Sequence, residues 1–221
     1  MAMRTLVVFS GGMDSTTLVW SLRSQGHEVS LVSFDYGQRH RRELRSATDV
    51  ARHLDVEHQT IDLTGLRPLL KGSALTDASV DVPHGHYESE TMKATVVPNR
   101  NAIMTSIAWG IAVAEDMDAV ALGIHAGDHA IYPDCRPEFH KAIEVALQLG
   151  TDRLSMKLLA PFIRMTKTDI AKLGGALGVR YDLTWTCYEG GEVHCGKCGA
   201  CQERQEAFRD SEVSDVTEYA A

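Results

Sequence analysis

Two groups of residues in this sequence are spaced for chemistry. Near the start, Ser10-Gly11-Gly12-Met13-Asp14-Ser15 lies between a short apolar run and a helical pattern. Two glycines let the backbone come close to an anion, the free amides of a first helical turn point at it, and the helix macrodipole adds partial positive charge. That makes the segment a phosphate site, with an ordinary strand-to-helix turn as the plain alternative. Neither the G-x-x-x-x-G-K-[ST] loop with its lysine nor the dinucleotide G-x-G-x-x-G is present.

Near the other end, Cys187-x7-Cys195-x2-Cys198-x2-Cys201 offers four thiolates, with Gly190, Gly191, Gly196 and Gly199 among them for tight turns. Soft sulfur ligands in fours suit tetrahedral zinc at about 2.3 Å per bond, and an iron–sulfur cluster is the other group that takes such a set. Four thiolates leave no open position, so zinc there would be structural. His194, beside Cys195, is a bystander on this count. Cys135 is the odd cysteine: between Asp134 and Arg136 it is either a nucleophile with a lowered pKa or a half-buried thiol.

Both groups need a frame. Residues 4–9 read as a strand, the Ser-Gly-Gly as a turn and residues 15–25 as a helix, and the unit recurs with strands at 28–36 and 56–63 and a helix at 41–54. Residues 64–95 break the rhythm, being rich in Gly, Pro, Ser and Asp, and read as a long loop or lid. The alternation resumes with helices at 101–117, 137–150 and 166–178 and strands at 118–126 and 154–162; Thr166 or Thr168 caps the last helix, with Asp169 in its first turn. The expected fold is α/β, a parallel five-stranded sheet flanked by helices, with residues 1–180 forming the nucleotide-binding domain and 181–221 a small zinc-binding lobe with its helix. Ligands of such sheets bind outside the carboxyl ends of the strands, which puts SGGMDS, FDYGQRH, GIHAGDH and the segment after APF on one rim.

The 221 residues, 44% hydrophobic and 24% charged, suit one globular domain able to bury a full core. Twenty-two Lys and Arg against 30 Asp and Glu leave a net charge of −8, which argues against a surface built for nucleic acid. The first apolar run spans about five residues, far short of the roughly 20 of a membrane span, so a cytoplasmic protein is expected.

The Ser-Gly-Gly-x-Asp-Ser loop resembles that of the PP-loop ATP pyrophosphatases, whose loop holds the β and γ phosphates while ATP is split between α and β. The resemblance implies that Ser10, Gly11, Gly12 and Ser15 cradle pyrophosphate, that Asp14 caps the helix or sits near Mg2+, and that Val8, Phe9, Met13, Thr16, Thr17 and Leu18 complete the nucleotide lining. FSGGMDSTT, FDYGQRH, VPNRN, GDHAIYPDCRPEF, TWTCYEG and CGKCGACQERQEAF together extend the likeness over nearly the whole chain. In this combination the sequence resembles the 7-cyano-7-deazaguanine synthase family of queuosine biosynthesis. That resemblance implies ATP, Mg2+ and Zn2+ as cofactors, a homodimer, and conversion of 7-carboxy-7-deazaguanine to a nitrile with ammonia through an adenylated acid and an adenylated amide.

Polar residues on the same rim are candidates for substrate contacts. Arg39, with Arg41, Arg42 and Arg45, could reach phosphates, although a charge run on a helix also serves as a solvated face. Arg100, between Asn99 and Asn101 at a helix start, could meet a carboxylate or nucleotide. Asp128 and Asp134 suit the two donors of a guanine-like edge, and Lys167 suits pyrophosphate or is a surface lysine. Three other functions share parts of the pattern: a tRNA-modifying thiolase or ligase, a non-catalytic sensor, and a relative that transfers a deazaguanine. The tRNA reading needs a basic docking face, yet residues 202–221 hold six acids against two arginines.

Overall fold

In the computed structural model, which describes residues 2–39, 41–77, 79–85 and 90–220, the first apolar run forms β1 (Arg4–Val8). Its residues alternate between two cores: Leu6 packs on one side of the sheet and Val7 on the other, and neither is exposed. β2 (Glu28–Asp35) and β3 (His58–Asp62) add to one edge of β1, and β4 (Ala119–Ala121) and β5 (Lys157–Leu159) to the other. All pairs are parallel, with Val7 opposite Leu31 on one side and Ala121 on the other. The order β3-β2-β1-β4-β5 reverses direction between β1 and β4. A crevice opens outside the carboxyl ends of strands at such a point.

β4 and β5 are shorter than the expected strands at 118–126 and 154–162. Beyond β4 the chain must pass over the start of α1 (Met13–Ser24), where a Cβ on Gly123 would lie 3.2 Å from the Ser15 backbone. It then turns into a 3-10 segment (Ala126–Ala130) that carries Asp128 to the crevice.

α1 and α2 (Arg42–Leu54) cover one face of the sheet together with α5 (Lys167–Leu177), through Leu18, Val50 and Ile170. α3 (Arg100–Ala114) and α4 (Pro137–Thr151) cover the other, with fully buried Trp109 at its centre. Thr166 opens α5 in a reciprocal cap: its hydroxyl accepts from Asp169 N at 3.2 Å, and its own N–H donates to the Asp169 carboxylate at 2.9 Å.

α6 (Gly199–Ser211) follows the cysteines and packs on α5, where Tyr181 and Phe208 meet edge to face at 4.9 Å. Its Arg204 is completely buried and donates to Tyr181 O (3.1 Å), Thr184 Oγ1 (2.9 Å), Thr186 Oγ1 (3.0 Å) and Thr217 Oγ1 (2.8 Å). One guanidinium thus joins the entry to the cysteine segment, α6 and the C-terminal tail.

Only part of the stretch expected to act as a loop or lid, 64–95, suits that role. Ala74, Met92 and Thr95 are fully buried, and Ala74 N bonds Ala94 O at 2.7 Å, so these residues belong to the core. Residues 78 and 86–89 of that stretch, and His40 of the FDYGQRH motif, lie outside the described residues. Among the described residues, no helix is long and apolar enough to cross a membrane.

Candidate active site

The crevice between β1 and β4 is floored by the serine-glycine loop. Ser10 and Ser15 hydroxyls lie 3.1 Å apart, Gly12 N donates to Ser10 Oγ at 3.2 Å, and Ser10 N donates to Ser15 Oγ at 3.3 Å. Gly11 has φ +76°, and a Cβ there would stand 2.5 Å from Glu43 O and 2.6 Å from Ala47 N of α2. Only glycine lets the loop lie this flat against α2. Gly12 is the N-cap of α1 and makes no side-chain cap bond, so the first-turn amides keep their donors for a ligand.

Beside the loop, Lys167 Nζ lies 2.6 Å from Asp14 Oδ2, 3.1 Å from Glu203 Oε2 and 3.4 Å from His125 Nε2. Burial by itself would lower the lysine's pKa, but Asp14, Glu203 and Asp128 outweigh it and hold the ammonium above its usual range. For Asp14 the burial that raises a carboxyl is overcome by Lys167 and His125, and its pKa is lowered. For Glu203 burial prevails and the pKa is raised. The other oxygen of Asp14, Oδ1, is buried with no hydrogen-bond partner. An orphaned carboxylate oxygen beside a phosphate cradle suits a divalent cation.

The opposite wall comes from the ends of β2, α2 and α3. The Arg100 guanidinium stands 5.9 Å over the Tyr132 ring. Gln38 accepts from Tyr36 N at 3.0 Å, which turns its amide nitrogen to Glu43 Oε1, also at 3.0 Å. Burial pushes the Glu43 carboxyl up to about 7.

Val8, Phe9, Ser10, Gly12, Met13, Asp14 and Ser15 line this cavity, together with Arg100, Asp128 and Lys167. Gly11, Thr16, Thr17 and Leu18 do not: Gly11 is pressed onto α2, and the other three are fully buried behind the loop, with Thr17 Oγ1 bonded to Met13 O at 2.8 Å. Arg39 also points elsewhere, donating to Val80 O at 3.1 Å. Asp134 accepts from Asn101 N at 2.9 Å and so caps the start of α3 from outside the cavity lining. Arg41 pairs with Asp35 at 3.0 Å, and Arg42 lies 4.9 Å over the Trp185 ring. Cys135 does border the cavity, but burial, with Asp128 adding to it, raises its thiol pKa. A protonated thiol is no nucleophile, which overturns the reading of a lowered pKa.

Sequence reasoning missed Glu43 and Glu203. Glu43 is hidden in a run of arginines, and Glu203 stands two residues past Cys201, where nothing local marks it as facing the phosphate loop.

The four cysteine sulfurs lie within 4.8 Å of one another, with Cys195 and Cys201 at 3.9 Å. Bonds of about 2.3 Å to one tetrahedral ion require sulfurs about 3.8 Å apart, whereas a cluster that gives each thiolate its own iron spreads them further. Backbone N–H groups of Lys197 and Cys198 point at Cys195 Sγ (3.4 and 3.2 Å), and Cys195 N points at Cys187 Sγ (3.4 Å). His194 is no ligand: its Nε2 accepts from Thr186 N at 3.1 Å and its ring packs on Trp185 at 4.1 Å. Trp185 N in turn donates to Gly11 O at 3.0 Å, tying the cysteine lobe to the phosphate loop.

A family model described as queuosine biosynthesis protein QueC matches residues 4–212. The chain belongs to the QueC family. Its QueC relatives include a 7-cyano-7-deazaguanine synthase of Allorhizobium ampelinum, 52% identical over 98% of this chain and 92% of that protein. One of the same name from Rhizobium etli is 53% identical over 98% and 92%. Among solved structures, the QueC fold is similar to NMN synthetase of Francisella tularensis (TM-score 0.51, 13% identity, 97% of this chain and 89% of that one). It is also similar to a 4-thiouridine synthetase in an RNA complex with bound ATP (TM-score 0.51, 14% identity, 95% and 50%). At these identities the likeness is one of fold.

Proposed function

We propose that this chain converts 7-carboxy-7-deazaguanine and ammonia to 7-cyano-7-deazaguanine, splitting ATP to AMP and pyrophosphate at each of two activations. The reading is carried by one cavity that joins an uncapped phosphate loop and a charged lysine to an arginine suited to a carboxylate, in a member of this family. A free carboxylate resists ammonia because its oxygen leaves poorly. Held by Arg100, one carboxylate oxygen attacks the α-phosphorus of ATP, and the bond to the β-phosphate breaks. The loop amides, Ser10, Ser15 and Lys167 receive the departing pyrophosphate. Ammonia then displaces AMP to give the amide. The amide oxygen is adenylated in turn, and loss of AMP and the nitrogen's protons leaves the nitrile.

Asp14, with its unpartnered Oδ1 on the cavity wall, would hold Mg2+, which neutralises charge on the phosphates when bound. Cys187, Cys195, Cys198 and Cys201 would hold Zn2+ in a structural role. Asp128 would read the donor edge of the deazaguanine. The net charge of −8 suits a small-molecule substrate in the cytoplasm rather than a nucleic acid. A homodimer would cover Val145, Leu149 and Leu154, which are 46%, 70% and 60% exposed on and just after α4.

Mass spectrometry of a reaction with Mg-ATP, ammonium and 7-carboxy-7-deazaguanine tests the function, with AMP and ADP resolved in the same run. Nitrile with AMP is the expected result. AMP without nitrile would move the acceptor elsewhere, and ADP or no turnover would refute the adenylation chemistry.

A further inference from the structure

We propose that Glu43 is the base that takes a proton from ammonium inside the cavity, releasing ammonia against the acyl carbon that Arg100 holds. The inference rests on the activity proposed above and assigns the step that activity leaves without a residue. Ammonium has no lone pair, so it cannot attack the adenylate until a proton is removed next to the reacting carbon.

Glu43 is placed for this by a chain of bonds. Tyr36 N fixes Gln38 Oε1 at 3.0 Å, Gln38 Nε2 also reaches Phe34 O at 3.3 Å, and the same nitrogen holds Glu43 Oε1 at 3.0 Å. Gln38 is itself buried, so the carboxylate is presented from a rigid support. Glu43 and Arg100 border the same cavity, and the Arg100 charge acts on the Glu43 carboxyl. Phe9, Tyr36 and Tyr132 line the same cavity.

The other titratable groups serve less well. Lys167 is held charged by Asp14 and Glu203, with which it pairs at 2.6 and 3.1 Å, so both carboxylates are committed to it, and Asp14, below its usual range, is a weak base besides. Cys135 stays protonated. Burial raises the Glu43 pKa and Asp35 at the end of β2 adds to it, the Gln38 hydrogen bond and Arg100 on α3 lower it, and burial prevails to leave it at about 7. A base near that value is well matched to work at neutral pH.

The protons balance. Glu43 takes one proton from ammonium and becomes a neutral acid. The ammonia lone pair forms the C–N bond, and the C–O bond to AMP breaks with its electron pair leaving on AMP. The second proton lost on the way to the amide leaves with AMP or water, and Glu43 returns its own to solvent before the next turn.

Glu43→Gln keeps the shape and an acceptor for Gln38 while removing the base. Two readouts separate the steps: pyrophosphate exchange into ATP dependent on 7-carboxy-7-deazaguanine, and amide formation at fixed total ammonium from pH 6 to pH 9. Wild-type amide formation should rise to about pH 7 and then stay level until free ammonium itself titrates. In E43Q, exchange should stay within about threefold, while amide formation at pH 7 falls about a hundredfold or more and climbs tenfold per pH unit with the supply of free ammonia. Glu43→Asp, which retains a carboxylate, should keep the level region at a lower rate, and it replaces E43Q if the glutamine variant does not fold. An unchanged amide rate in E43Q, a parallel loss of exchange and amide formation, or a wild type without the level region would overturn the assignment. Absence of substrate-dependent exchange in the wild type would instead refute the proposed substrate.

Discussion

Replacing Gly11 by alanine should destabilise this protein well beyond what one methyl group ordinarily does. The backbone there is left-handed at φ +76°, and the new Cβ would come to 2.5 Å from Glu43 O and 2.6 Å from Ala47 N. Left-handed backbone costs an L-residue roughly 1 to 2 kcal/mol. Both clashing atoms are helical backbone, so α2 has to move as a unit, and forced overpacking of this kind costs about 1 to 3 kcal/mol more. The sum is about 2 to 5 kcal/mol against a typical domain stability of about 5 to 15. For a chain of this size that lowers Tm by roughly 4 to 20 °C. Gly12→Ala is the control, because Gly12 has φ −81° and its Cβ would meet the Ser10 hydroxyl at 3.2 Å, a group that can turn away. That variant should lose less than about 1 kcal/mol, yet it puts a methyl on the cavity wall and should weaken ATP binding. Urea unfolding followed by tryptophan fluorescence, with calorimetry, measures both. A Gly11→Ala protein within about 0.5 kcal/mol of wild type would refute the argument that contact with α2 requires glycine here.

Three further outcomes are expected. Because burial raises Glu43 from 4.5 to about 7, the folded state binds the extra proton and loses stability as pH rises through that window, so Glu43→Gln should exceed wild type by up to about 3 kcal/mol at pH 8 and match it below about pH 4.5 in denaturant melts. Lys167→Met should leave Asp14 and Glu203 facing each other without their cation and cost about 3 to 5 kcal/mol in urea melts, with part of the loss recovered by adding Glu203→Gln; no recovery would mean that the carboxylates do not repel. Elemental analysis should find a bound metal in wild type and none in Cys198→Ser, and hydrogen exchange at the Trp185 amide bonded to Gly11 O should accelerate in the variant; a variant that keeps its metal, or a wild type without one, would refute the four-thiolate site.

Most of the frame was legible because its signals are local. Strand, glycine turn and helix around residues 4–24 follow from an apolar run, two glycines and a helical repeat, and the cysteine spacing marks four thiols that the fold gathers within 4.8 Å, a set that could hold one metal ion. Lys167 and Arg100 line the cavity, and their place was legible because each opens a helix at the carboxyl rim of the sheet. Arg39 and Asp134 stand near the same rim, yet their side chains satisfy Val80 O and the α3 amide instead. Direction of this kind depends on the nearest competing hydrogen-bond partner, which periodicity does not encode.

By itself, then, the sequence determined the α/β alternation, the anion loop and the four-thiolate set, since each depends on residues within one or two turns of each other. The tertiary structure decided the charges of the site. It put Glu203 3.1 Å from Lys167, more than 30 residues away in the chain, buried Arg204 between three segments, and closed Trp185 onto Gly11. It also placed Glu43 against a cavity wall that raises its carboxyl to about 7, where the same residue on an exposed turn of α2 would remain an ordinary acid. The physical reason is that a pKa reports desolvation and neighbouring charge, and both are properties of packed space.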